Sequence, residues 1–206
     1  MQTPRTWDVL LIGGASGVGK TSVSYRIAQH YGVGITEIDD FQVILERMTT
    51  PEQQPILHYG RTHHDEARRM SEDQQLAFML EYSQVMTTAL DLVIGNHLAS
   101  NAPIVLEGDF ILPSLAVQPA YDAIPANGRV RAIFVYEDDE AQIDQNYLTR
   151  EGQAQPRRAR ASWRHSEWLR QEAMRLNVPT IAARPWETVF LRIIATLAAP
   201  SQPSNT

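Results

Sequence analysis

A glycine-rich segment near the start of the chain has the residue types and spacing of a phosphate-binding loop. Residues 14–21 read GASGVGKT and match the pattern G-x-x-x-x-G-K-[ST]. Backbone N–H groups of such a loop surround phosphate oxygens, and glycine permits the conformations that this requires. Lys20 is expected to bridge the β- and γ-phosphates of a nucleotide, and the Thr21 hydroxyl to bind the accompanying Mg²⁺. The predicted phosphate site consists of Gly14, Ala15, Ser16, Gly17, Val18, Gly19, Lys20, Thr21 and Ser22.

A pair of carboxylates follows a short apolar segment, Ile35 to Ile38. A kinase that acts on an alcohol needs a carboxylate near the acceptor oxygen, and ligands of α/β sheets bind at the carboxyl ends of strands. We therefore predict Asp39 as the catalytic base and place Asp40 beside the acceptor. The alternatives are that Asp40 caps the following helix and that Asp39 holds Mg²⁺ through water.

A second apolar run, residues 104–106, ends in Glu107, as in a Walker B strand. Glu107 is predicted to reach Mg²⁺ and to border the acceptor. Gly108 would let the acceptor approach the backbone, and Asp109 would contact it. The alternative is an ordinary strand end followed by a polar turn.

Arginine is concentrated between positions 150 and 170 of an otherwise acidic chain. A guanidinium group that closes over the γ-phosphate neutralises charge in the transition state. We predict this role for three of the six arginines, namely Arg157, Arg158 and Arg160. Arg164 and Arg170 are better explained by ion pairs on a solvated helix face.

Residues 49–65 contain two prolines, one glycine and three histidines without helical periodicity, and are predicted to form a long irregular loop. Arg61 lies in this loop and is the candidate for binding an anionic group of the acceptor. The alternative is that Arg61 and its neighbours form ordinary exposed surface without a ligand. A metal site at the histidines is disfavoured because no acidic ligand has convincing spacing.

Five short apolar segments alternate with helical patterns, which favours a parallel sheet covered on both faces. The predicted strands are Trp7 to Ile12, Ile35 to Ile38, Pro103 to Leu106, Val130 to Tyr136 and Thr180 to Ala183. The glycine loop lies between the first strand and a helix, where a phosphate loop requires it. This context argues against a chance match of the motif.

The bulk composition excludes several classes of protein. The 206 residues suit one domain, and the absence of cysteine excludes disulfides, thiolate zinc sites and cysteine nucleophiles. The net charge of -6 argues against a nucleic-acid partner. The apolar run Val9 to Ile12 is too short for a signal peptide or a membrane span, so we expect a cytoplasmic protein without a membrane partner. No sequence pattern specifies an oligomeric state.

Four motifs, taken in order, carry a resemblance to a known family: GGASGVGKTS, TEIDDF, IVLEGDFILP, and the arginine-rich stretch before PTIAARPWETV. With them the chain resembles the nucleoside-monophosphate-kinase-like branch of P-loop kinases and is similar to the 2-phosphoglycerate kinase-like family. The resemblance implies a P-loop NTPase fold of the α/β class, with a five-stranded parallel sheet of order 2-3-1-4-5, helices on both faces and an arginine-rich lid. It also implies ATP and Mg²⁺ as cofactors, with adenine near residues 184–188, where Pro185 and Trp186 would contact the nucleotide.

These observations predict one P-loop kinase domain over residues 1–198, with an acceptor-binding insertion at 49–100, a lid at 150–165 and a disordered tail at 199–206. The predicted function is transfer of the γ-phosphate of ATP to a hydroxyl of a small molecule. The acceptor does not carry over from the resemblance, because this branch phosphorylates many small molecules on one scaffold. Alternatives are a nucleotide or polynucleotide kinase and a nucleotide-binding switch. A GTPase switch is disfavoured because the sequence has no Asn-Lys-x-Asp segment.

Overall fold

The computed structural model describes residues 4–199, so the predicted disordered tail lies outside the described residues except for Ala199. The strands are β1 (Val9–Gly13), β2 (Gly34–Glu37), β3 (Ile104–Gly108), β4 (Ala120–Tyr121), β5 (Ile124–Pro125), β6 (Val130–Tyr136) and β7 (Thr180–Ala182). The helices are α1 (Lys20–Tyr31), α2 (Ile38–Met48), α3 (Pro55–Thr62), α4 (His64–Arg69), α5 (Glu72–Ser100), α6 (Glu140–Glu151), α7 (Pro156–Arg175) and α8 (Trp186–Ala198), with a 3-10 turn at Pro113–Val117. None of the helices between residues 4 and 199 is long and apolar enough to cross a membrane.

Five parallel strands form the main sheet in the order β2-β3-β1-β6-β7. The two-residue strands β4 and β5 form a separate antiparallel hairpin, which the sequence analysis did not predict. When only the strands of the main sheet are counted, the order is the 2-3-1-4-5 that the resemblance implied. The P-loop NTPase fold class is therefore confirmed, and the hairpin alone changes the strand numbering.

The register of the central strands brings their carboxyl ends to one edge of the sheet. Gly13, the last residue of β1, pairs with Gly108 of β3 on one side and with Phe134 of β6 on the other. A Cβ atom at Gly13 would lie 2.3 Å from the Phe134 ring, so this position requires glycine. As a result, the residues that follow β1 and β3 emerge side by side.

Helices cover both faces of the sheet, which explains why β1 and β3 are buried along their whole length. On one face, α5 contributes Met86, Leu90 and Ile94 to the core. On the other face, the buried side chains include Ile27 of α1 and Ile193 of α8. The site at the edge of the sheet is thus carried by a core packed from two sides.

The prediction of a long irregular loop at residues 49–65 is wrong, because α3 and the start of α4 occupy most of this segment. Pro55 is the first residue of α3, where its fixed φ suits a helix and its missing N–H costs nothing. Leu57 and His58 are buried, and His58 Nε2 lies 3.1 Å from the Thr49 hydroxyl. Helices this short bury too few residues to produce a clear period in the sequence.

Tyr121 connects the hairpin to the core and provides a test of the packing. Its side chain is fully buried, and its hydroxyl donates to the carbonyl of Leu115 at 2.6 Å. Tyr121→Phe leaves that carbonyl without this donor and should lower the free energy of unfolding by about 1–3 kcal/mol. Tyr59→Phe is the matched control, because its hydroxyl bonds the exposed Glu66; it should cost less than about 0.5 kcal/mol. Urea unfolding of both variants measures the difference, and equal losses would contradict this role of Tyr121.

Candidate active site

The phosphate loop connects β1 to α1 and is held by close backbone contacts. Gly14 has φ 143°, and a Cβ atom there would lie 2.2 Å from the carbonyl oxygen of Val135. Gly19 has φ 93°, and a Cβ atom there would lie 2.7 Å from the ring of Trp186. Helix α1 begins at Lys20 without a side-chain cap or an acidic residue in its first turn. Its first N–H groups are therefore available to an anion.

Lys20 lies at the centre of the site and is only 4% exposed. Its ammonium donates to the carbonyl oxygen of Ala15 at 3.0 Å and to the Asp109 carboxylate, and lies 3.7 Å from Glu107 Oε1. Burial lowers the pKa of Lys20, but the charges of Asp109 and Glu107 raise it by more, so that it lies above its ordinary value. Lys20 is therefore a buried cation at neutral pH, held by two carboxylates from the end of β3.

Glu107 and Thr21 present oxygen atoms suited to Mg²⁺. Burial raises the pKa of the Glu107 carboxyl, against the opposing charge of Lys20 and a hydrogen bond with Thr21. Among residues 4–199 no group of three or more His, Cys, Asp or Glu side chains could hold a metal ion. Mg²⁺ does not need such a group, because water and substrate phosphates usually complete its octahedral shell. Both predicted metal ligands thus fit the ion chemically.

Asp39 and Asp40 lie in the first turn of α2 rather than at the end of a strand, because β2 ends at Glu37. The N-cap residue is Glu37, so Asp40 does not occupy the capping position. Asp39 lines the cavity described below although the residue as a whole is exposed. Partial burial of its carboxyl raises the pKa of Asp39, and the charge of Asp109 raises it further.

The phosphate loop and these carboxylates line one cavity of about 730 Å³, a size that suits a small-molecule ligand. It also contains residues that the sequence analysis missed. The cavity is lined by Ser16, Gly17, Val18, Gly19, Lys20, Thr21, Ser22, Glu37, Asp39, Glu107, Asp109, Asn146, Thr149, Arg150, Arg184 and Trp186. The predicted residues Gly14, Ala15, Asp40, Gly108 and Pro185 are not among these lining residues.

Two further lining residues, one missed and one within the predicted adenine segment 184–188, tie the cavity to its surroundings. Asn146 of α6 donates to the carbonyl oxygen of Gly17 at 2.8 Å. Arg184 donates to the buried Glu137 at 3.2 Å. Arg150 was noticed only as the first member of the arginine-rich stretch. For Asn146 the sequence offers no pattern, because a single amide on a helix gains its role only through tertiary packing.

The three arginines predicted to close over the γ-phosphate have other partners in the structure. Arg157 donates to the carbonyl oxygen of Met70 at 3.0 Å. Arg158 pairs with Glu151 at 2.9 Å and lies over the Tyr147 ring, and Arg160 pairs with Glu140 at 2.7 Å. In the described part of the chain none of the three lines the cavity. Their predicted role therefore requires an exchange of partners and stays a prediction.

Two further predicted residues have structural explanations. Arg61 is exposed and pairs with Glu46 at 3.1 Å, outside the cavity. At Gly108, a Cβ atom would lie 2.8 Å from Cβ of Ile38, so glycine lets the start of α2 approach β3. The predicted contacts of Arg61 and Gly108 with an acceptor stay predictions.

His165 of α7 is a buried polar group that the sequence analysis did not single out. It is 2% exposed, and its Nε2 has no hydrogen-bond partner among the described residues. Burial lowers the pKa of His165 to about 4; the charge of Asp109 opposes this shift and that of Lys20 adds to it. His165 is therefore neutral at pH 7 and close enough to the site to respond to its charges.

The fit of the phosphate loop can be tested with a pair of glycine variants. Gly14→Ala combines a φ that disfavours side chains with a Cβ atom 2.2 Å from Val135 O, and should destabilise the protein by about 3 kcal/mol or more. Gly128→Ala meets only the backbone cost, since it has φ 71° and nothing within 4 Å, and should cost about 1–2 kcal/mol. Chemical unfolding measures both losses. A smaller loss for Gly14→Ala than for Gly128→Ala would contradict the close contact with β6.

Sequence comparison finds curated relatives of one kind. The chain is 26% identical over 109 residues to 2-phosphoglycerate kinase of Methanocaldococcus jannaschii, a match that covers 52% of this chain and 35% of that protein. It is 24% identical over 114 residues to the protein of the same name from Methanopyrus kandleri, covering 52% of this chain and 34% of that protein. The matches thus span about a third of the length of these relatives. No protein-family model matches the chain.

Solved kinase structures share the fold over nearly the whole chain. A gluconokinase from Sinorhizobium meliloti has a TM-score of 0.50 and 18% identity, covering 95% of this chain and 94% of that one. A sugar kinase from Janibacter has a TM-score of 0.55 and 16% identity, covering 93% and 96%. Shikimate kinase from Acinetobacter baumannii has a TM-score of 0.51 and 17% identity, covering 95% and 97%. The predicted resemblance is thus confirmed: the chain has the fold of P-loop kinases and is similar in sequence to 2-phosphoglycerate kinases.

Proposed function

We propose that this chain transfers the γ-phosphate of ATP to a hydroxyl group of a small-molecule acceptor. The observation that carries the proposal is the buried Lys20 ammonium, which lies between the phosphate loop and the carboxylates of Glu107 and Asp109 in one cavity. A cation and a helix N-terminus on one side suit polyphosphate, and carboxylates on the other side suit a hydroxyl donor. The relatives and structural neighbours that are named as kinases of small molecules support the same class of reaction.

ATP would bind with its phosphates against the N–H groups of the loop and against Lys20. Thr21 and Glu107 would hold Mg²⁺, which neutralises charge on the phosphates when bound. Trp186, which lines the cavity beside Gly19, and the preceding Pro185 are the proposed contacts of the base. The proposed use of ATP also implies a cytoplasmic location, where ATP is available.

The proposed chemical step is an in-line displacement at the γ-phosphorus. A bond forms between the acceptor oxygen and the γ-phosphorus, the bond from that phosphorus to the β–γ bridging oxygen breaks, and ADP leaves. The hydroxyl proton goes to the Asp39 carboxylate. Because burial and the charge of Asp109 raise the pKa of Asp39, this carboxylate is a stronger base than an ordinary aspartate.

The acceptor is proposed to bind at the carboxylate end of the cavity, among Asp39, Asp40, Gly108 and Asp109. Residues 49–100 are the proposed acceptor-binding insertion and residues 150–165 the lid. Ion pairs join these two segments, since Glu72 and Asp73 of α5 pair with arginines of α7 that include Arg164. Arg61 in the insertion stays the candidate for an anionic group of the acceptor.

Transfer of label from [γ-³²P]ATP to pools of sugars, hydroxy acids, nucleosides and amino alcohols tests the proposal. A labelled product is expected in at least one pool. Lys20→Ala should lower its formation by about 10²-fold or more, because the transferring phosphate loses its buried cation. Asp39→Asn should lower transfer by about 10²–10⁴-fold while ATP affinity is kept. Tight ATP binding without product in any pool would contradict the kinase and favour a nucleotide-binding regulator.

A second set of variants tests which arginines of the proposed lid act in the chemical step and which bind ATP. Replacing Arg157 and Arg158 together by alanine should lower the single-turnover rate more than ATP affinity, since their predicted contact is with charge that develops in the transition state. Arg150→Ala should weaken ATP binding, because Arg150 already lines the cavity. A rate that is unchanged in the double variant would remove Arg157 and Arg158 from the mechanism.

A further inference from the structure

Lys20 is the only lysine in the 206 residues, so a single ammonium group serves the whole phosphate site. An ammonium has three N–H donors and no acceptor. In the structure one donor is directed at the carbonyl oxygen of Ala15 and a second at the Asp109 carboxylate, while Glu107 lies 3.7 Å away. Phosphate oxygens that bind Lys20 therefore compete with partners that belong to the protein.

We propose that Asp109 is an internal competitor of the nucleotide phosphates for Lys20, and that phosphate binding frees the Asp109 carboxylate to face the acceptor. This inference rests on the proposed function, because it takes the phosphate loop to be an ATP site. It assigns Asp109 two successive partners: the lysine first and the acceptor afterwards.

The difference in burial between the two carboxylates indicates which one gives up Lys20. The Asp109 side chain is 23% exposed, whereas that of Glu107 is 4% exposed. An anion that loses its cation needs another source of solvation, and the desolvation penalty is larger for the more buried group. Asp109 can meet water or an acceptor hydroxyl, whereas the Glu107 side chain is almost closed to solvent.

The exchange connects the two substrates. While Asp109 holds Lys20, its acceptor capacity is partly used and its charge is partly neutralised. After Lys20 turns to the phosphates, the Asp109 carboxylate regains its full capacity to accept hydrogen bonds and its full negative charge. It then attracts a hydroxyl donor more strongly. Binding free energies are reciprocal, so the nucleotide and the acceptor should each favour the binding of the other.

Nucleotide affinity in the absence of an acceptor tests this exchange. Asp109→Asn keeps the shape and an oxygen acceptor but removes the charge, so ATP and ADP should bind about tenfold more tightly than to the unaltered chain. AMP has no β-phosphate, so the affinity of the variant for AMP should rise little. Asp39→Asn is the matched control, because it removes the same charge from the same cavity without a hydrogen bond to Lys20. Its affinity for ATP should stay close to that of the unaltered chain. Calorimetric titration gives all of these affinities.

An unchanged or weaker affinity for ATP in Asp109→Asn would overturn the inference, as would equal gains in Asp39→Asn or with AMP. Asp109→Ser is the second variant if Asp109→Asn does not fold, with the same expected gain. The outcomes separate the two proposals: if the unaltered chain binds ATP and Asp109→Asn gains nothing, only this inference fails. If the unaltered chain binds no ATP, the proposed function fails and this inference with it.

Discussion

The need to keep one buried ammonium charged governs the arrangement of the site. Lys20 is nearly inaccessible to water, so its charge depends on anions supplied by the protein. Those anions, Glu107 and Asp109, come from a strand almost ninety positions away in the sequence, and only the parallel pairing of β1 with β3 brings them beside the loop. The sheet therefore determines both where the lysine lies and what it binds.

Close approach of backbone segments is what allows this convergence. Gly13 fits against the Phe134 ring, Gly14 against the carbonyl of Val135, and Gly108 against Ile38. A side chain at any of these positions would push apart the strand ends and the start of α2. The shape of the phosphate loop and the packing of the core thus depend on neighbouring glycines, which is why the loop belongs to the core as much as to the site.

The sequence predicts the features that depend on local patterns. The five main strands, the phosphate loop and the acidic strand end at Glu107 all follow from runs of apolar residues and the residue types that end them. The helices in residues 49–65 were missed because they are short, and the hairpin because its strands have two residues each. Asn146 reaches the cavity only through the packing of α6, and no local pattern marks such a contact. The arginines of α7 could be predicted as a cluster, but their ion pairs with α5 could not.

Lys20 is proposed to bind the phosphates of a nucleotide, and because it is the single lysine of the chain this contact can be measured directly. In protein labelled with ¹⁵N and ¹³C only at lysine, the side chain of Lys20 gives one set of NMR signals. Titration with ATP and Mg²⁺ should move these signals to a new position and saturate, as phosphate oxygens replace the Asp109 carboxylate. Signals that stay in place while ATP binds would show that the nucleotide lies elsewhere, and would contradict the account.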